Sequence, residues 1–176
     1  MTRSSCHVSF CFVLHPEDTG NFESALTCDG RSGGLGGGDP ALEGVNGCSA
    51  RASAAQSDMQ RPNLFILTGA LISGYTTRPD DYRAQLRSWK RIYGPLWRWM
   101  PIYTSMGNHE SLLAIDDAGV RIDRASPESA EELFAAAFVH PLNGPSPERE
   151  GAPPYRGSVY SWEHSDCHFV QLDSHY

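Results

Sequence analysis

The sequence has no apolar run approaching the roughly 20 residues that a membrane-spanning helix needs. It is also short of positive charge: 14 Lys and Arg stand against 21 Asp and Glu, a net charge of −7. A nucleic-acid binder needs a basic face to release counterions from phosphate, so nucleic acid is not expected as a partner. A small phosphate ester is not excluded, because a bound metal can supply local positive charge. Paired cysteines are missing too. Cys6, Cys11, Cys28, Cys48 and Cys167 are odd in number and irregularly spaced, which suits neither a disulfide framework nor a paired-Cys zinc site. Reduced, mostly buried thiols in a cytoplasmic protein are the expectation. His15, Glu17 and Asp18 stand where a signal peptide would place small cleavage-site residues, so no signal peptide is expected. No internal repeat is visible.

What remains is a chain of 176 residues, 40% hydrophobic and 10% aromatic, which suits one globular domain with a real core. "HVSFCFVLH", residues 7 to 15, reads as a buried first strand within residues 1–17. Residues 18–60 are rich in Gly, Ser and Ala and read as a flexible insertion or linker, with "GRSGGLGGGD" as its extreme. A phosphate-cradling loop is rejected there, because Asp39 follows the glycines where Lys and Ser or Thr are needed. Residues 61–176 read as the structured domain.

That domain opens with Leu64, Phe65, Ile66 and Leu67, a continuous apolar run expected of a strand buried on both faces. A helix follows from "RPDDY", with Pro79 in its first turn and Asp80 and Asp81 opposing its dipole. Tyr82, Leu86, Trp89 and Tyr93 recur on one face until Gly94-Pro95 ends or kinks it. "PIYTSM" is the next strand, so strand, helix and strand form a βαβ unit with parallel strands. Both strands then deliver their C-terminal ends to one sheet edge, where open α/β sheets bind ligands. "SPESAEELFAAAF" is a second helix, capped by Ser126 or Ser129, and "SVYSWEHSDCHFVQLDS" is a β-hairpin.

The residues with chemistry lie at the exit of the second of those strands: Gly107, Asn108, His109 and Glu110. Glycine allows a tight turn with positive φ, so the following side chains point back over the sheet edge. An Asn oxygen can bind a divalent metal, and a neighbouring His can contact a phosphoryl oxygen or protonate a leaving group. The alternative is a polar turn, with Asn108 in an Asx-type turn, His109 on the surface and Glu110 capping a helix.

"PNLFILTGALISG", "MPIYTSMGNHE" and "VYSWEHSDCHFVQLDS", the last preceded by "FVHPLNGP", resemble blocks of the calcineurin-like metallophosphoesterases, in their purple-acid-phosphatase-like branch. The resemblance spans roughly residues 62 to 174. It implies a partial metallophosphoesterase-type α/β sandwich with parallel strands and a C-terminal antiparallel hairpin. It also implies metal-dependent phosphoester hydrolysis by two divalent ions (Mn, Fe or Zn) acting on a small phosphoester. Under it Asn108 is a metal ligand, His109 contacts the phosphate or the leaving group, and Glu110 orients.

The chain departs from the family pattern. Gly69-Ala70 stands where the family has Gly-Asp, and a methyl group coordinates nothing. The first block should be Asp-x-His, but this chain has His15 and Glu17, both competent metal ligands, in reversed order. The family's later histidine blocks would lie beyond Tyr176, so residues 61–176 are expected to be a metallophosphoesterase-like domain without its C-terminal part, a fragment or divergent copy of such a hydrolase. Impaired hydrolysis is one expectation, and a non-catalytic binding or structural module is the other. A sheet cut short also leaves a strand edge for a protein partner to cover. His140, His164 and His168 read as structural, His140 by satisfying the last carbonyls of a helix.

Overall fold

The computed structural model describes residues 20–31, 43–117, 119–122, 128–146, 155 and 157–173. Its architecture is mixed α/β: one parallel three-stranded sheet, two antiparallel hairpins and three α-helices among the described residues. The sheet order is β1 (Ser24–Thr27), β2 (Leu64–Leu67) and β3 (Ile102–Thr104), all parallel. Phe65 pairs with Ile102 and Leu67 with Thr104, which confirms the parallel βαβ unit. The expected strand at residues 7–15 lies outside the described residues.

The connection from β2 to β3 is helix α2 (Pro79–Tyr93), which runs on into a 3-10 turn at Gly94–Arg98. Its buried face is the one the spacing gives: Tyr82, Leu86, Trp89 and Tyr93 are all at most 2% exposed. Trp89 stacks on Tyr93 at 4.7 Å between ring centroids, and Tyr93 reaches Phe65 of β2 at 5.9 Å. The core therefore forms between α2 and the sheet.

The reading of residues 18–60 as a flexible insertion or linker needs correction in two places. Residues 24–27 form β1, paired with β2, and Gly47–Gln60 form a helix, α1. Residues 32–42, the glycine-rich part, lie outside the described residues. Composition misleads here because α1 has no apolar stripe. It lies against α2, and its buried residues are all small: Gly47, Ala50, Ala54 and Ser57. Alanine's high intrinsic propensity and the Asn46 N-cap, whose Oδ1 accepts from Ser49 N at 3.1 Å, support it locally.

Helix α3 (Ala130–Ala137) has Ser129 as its N-cap and buries Leu133 and Phe134. The tail hairpin is present as β6 (Tyr160–His164) with β7 (Cys167–Gln171). A further hairpin, β4 (Leu113–Asp116) with β5 (Gly119–Ile122), follows the Gly-Asn-His-Glu turn. It falls where the alternative reading of the motif put a helix for Glu110 to cap. The tail hairpin anchors to the sheet: Trp162 stacks on Tyr103 at 3.8 Å, and the Tyr160 hydroxyl donates to Thr104 O at 2.8 Å.

The expectation of mostly buried thiols fails among the described residues. Cys28, Cys48 and Cys167 are all exposed and free. Each sits on a loop, a polar helix face or a hairpin whose core contacts come from neighbours. Within the described residues, no helix is long and apolar enough to cross a membrane.

Candidate functional site

Because β1, β2 and β3 are parallel, their C-terminal ends reach the same edge of the sheet. A cavity of about 280 Å³ opens there, lined by Cys28, Asp29 and Arg31 after β1, Thr68 to Ala70 after β2, and Gly107 to His109 after β3. The structure thus brings Asn108 and His109 together in one pocket. His15 and Glu17 lie outside the described residues.

The pocket floor depends on two glycines. A Cβ on Gly69, whose φ is +96°, would stand 2.6 Å from Gly107 N, and a Cβ on Gly107 would stand 2.9 Å from Ala70 N. The two strand exits touch backbone to backbone. Gly107 is therefore required for close approach, and it does not adopt the positive φ expected from its place in the turn. Left-handed backbone occurs instead across the gap, at Gly69 and at Ala70 (φ +51°), an uncommon conformation for alanine.

Glu110 explains the contact. Its side chain is fully buried, and Oε2 accepts from Ala70 N at 2.9 Å and from Gly107 N at 2.8 Å. Oε1 accepts from Ile72 N at 3.0 Å. One carboxylate therefore ties the exit of β2 to the exit of β3 and aims no oxygen at the pocket. Burial pushes its pKa up to about 7, against the pull of the backbone N–H donors from Ile72, Gly107, Ala70 and Leu71. The carboxylate thus orients the two strand exits against each other.

His109 Nδ1 lies 2.9 Å from Ser73 O, and a carbonyl only accepts, so Nδ1 carries the proton. In the Nδ1–H tautomer the lone pair of the ring lies on Nε2. Tyr75 packs its ring edge-on to His109 at 4.7 Å, and its hydroxyl accepts from Asn108 Nδ2 at 3.0 Å. That contact fixes the amide and leaves Asn108 Oδ1 as an acceptor. Tyr75 holds this place from a left-handed backbone, φ +48°.

Among the described residues, the donor set does not fit the metal pair that the resemblance implies. At the β2 exit the residue is Ala70, whose methyl has no lone pair. No group of three or more His, Cys, Asp or Glu able to hold a metal occurs among the described residues. Among the described residues, Asp29 is the one carboxylate lining the cavity, and Arg31 Nε sits 2.9 Å from its Oδ1.

Asp29, Arg31 and Tyr75 were missed in the sequence. Asp29-Gly30 is a turn signal behind a four-residue strand, too weak to separate from its Gly- and Ser-rich surroundings. Tyr75 is brought to Asn108 only by the fold. Outside the pocket, His140 is structural, but not by capping a helix. Nδ1 donates to Gly157 O at 2.8 Å and Nε2 lies 3.0 Å from Thr104 Oγ1, while Lys90 Nζ donates to Ala137 O at the helix end. Burial pushes its pKa down to about 4.

Compared with protein-family models, with curated proteins and with solved structures, the chain matches none.

Proposed function

We propose that this chain is a phosphoester-binding module of the metallophosphoesterase type, keeping the sandwich fold and the sheet-edge pocket of a hydrolase without its metal pair. The observation that carries the reading is the pocket at the end of three parallel strands. Asn108 and His109 line it together, while the residue facing them from the β2 exit is Ala70. A polar cleft at the C-terminal edge of a parallel sheet is the usual ligand position in α/β proteins. The Gly-Asn-His-Glu turn supports a phosphoester as the ligand class through the family resemblance.

The second reading is metal-dependent hydrolysis of a phosphate mono- or diester. One observation favours it: Asp29 delivers a carboxylate to the same edge from β1, opposite Asn108 and His109. Its obstacle is electrostatic, because Arg31 already neutralises that carboxylate at 2.9 Å.

Elemental analysis of the purified chain, run with hydrolysis assays on an aryl phosphate monoester and diester, separates the two. The module reading expects substoichiometric Mn, Fe and Zn and no turnover, with binding of the monoester by calorimetry. Stoichiometric metal accompanied by turnover would establish the hydrolase instead.

A further inference from the structure

We propose that the sheet-edge pocket holds the phosphate group on the Arg31 guanidinium, without a metal ion. This rests on the phosphoester-binding reading and names the group that replaces the missing metal charge.

The usual donors at such an edge are backbone amides, which form anion-binding concavities at strand exits. Two of them are already committed here. Ala70 N and Gly107 N both donate to Glu110 Oε2, at 2.9 and 2.8 Å, so an internal carboxylate occupies them. His109 has its Nδ1–H on Ser73 O, and Asn108 has one Nδ2 hydrogen on the Tyr75 hydroxyl. Among the described residues lining the pocket, Arg31 is the one with a permanent positive charge, shared at Nε with Asp29.

Arg31 is held in a way that suits the task. Its backbone makes an antiparallel bridge with Val45, which is fully buried, and Asn46 N donates to the preceding carbonyl of Gly30 at 2.9 Å. Its side chain is 34% exposed, with Nε 2.9 Å from Asp29 Oδ1. Asp29 lies beside Nε as an ion pair without a hydrogen bond, and the two terminal amino groups form a planar fork. That fork matches two oxygens of a phosphate, and a guanidinium sheds its hydration more readily than an ammonium. Asn108 Oδ1 and His109 Nε2 then serve as acceptors for hydroxyl hydrogens of the bound ester or a singly protonated phosphate. At about 280 Å³ the cavity suits a small monoester rather than a polymer.

The test is titration calorimetry with inorganic phosphate and with an aryl phosphate monoester, on chain stripped with EDTA. Wild type is expected to bind both without added metal, Arg31→Gln to weaken binding at least tenfold, and Arg31→Lys to recover part of it. Far-UV circular dichroism checks that each variant is folded, and Arg31→Lys carries the comparison if Arg31→Gln is not. Metal-free binding that is unchanged in the Arg31 variants would overturn the role of Arg31 and leave the binding-module reading standing. Binding that appears only when Mn²⁺ or Zn²⁺ is restored would overturn it as well and point back to the hydrolase. No binding under any condition would remove the module reading itself.

Discussion

Asn108 and His109 are legible because they follow one another in the chain behind an apolar strand. The residues that make them a site are not. Arg31, Asp29 and Tyr75 come from other strand exits, and nothing local distinguishes them from turn residues. Glu110 shows how far a single side chain can act across such exits. Removing its carboxylate in Glu110→Ala would leave the buried N–H groups of Ala70, Ile72 and Gly107 without their acceptor. An unsatisfied buried donor costs about 1–3 kcal/mol, so a total loss of at least about 3 kcal/mol is expected in urea unfolding. Glu110→Gln keeps the shape and one acceptor oxygen and should lose less. Equal losses for the two variants would mean that the amides find other partners and that Glu110 matters only by filling space.

Among the elements, those with a strong apolar period could be read and those without one could not. Helix α2 places four large apolar or aromatic residues on one stripe, and β2 is a continuous apolar run, so both are plain in the sequence. β1 is a short edge strand whose residues alternate between exposed and half-buried, a pattern that matches loop composition equally well. Helix α1 buries only small residues, so its packing surface resembles a linker. Its stability should therefore lean on its ends. Asn46→Ala removes the side-chain oxygen that accepts from Ser49 N, and a loss of about 1 kcal/mol is expected from chemical denaturation. A negligible change would show that contacts with α2 alone hold the helix. The β4–β5 hairpin was overlooked for a related reason: its cross-strand pair Ile115 and Val120 is exposed, at 67% and 65%, and has no buried face to advertise.

For the molecule as a whole, His140 joins three parts: the end of α3, Thr104 of β3, and Gly157 ahead of β6. An unfolded imidazole titrates near 6.5 and this one near 4, because burial disfavours the charged ring. Below pH 6.5 the unfolded chain thus takes up a proton that the folded chain refuses. The stabilisation from neutral His140 is complete above that pH and is lost as pH falls toward 4. Glu110 runs the opposite way: its folded value of about 7 lies above the ordinary 4.5, so its contribution fades as pH rises through 7. Subtracting the unfolding free energy of His140→Gln from that of wild type cancels the Glu110 component. The difference should shrink by on the order of 2–3 kcal/mol between pH 7 and pH 4. A flat difference would mean that the ring is protonated in the folded chain. By itself the sequence determined the βαβ unit, the tail hairpin and the polar turn between Gly107 and Glu110, because periodicity and local turn chemistry are properties of neighbouring residues. The tertiary structure alone decided which distant side chains gather around that turn: Asp29 and Arg31 after β1 in the same cavity, and Tyr75 against His109. Parallel strand ends gather residues from separate parts of the chain, and no local pattern carries that information.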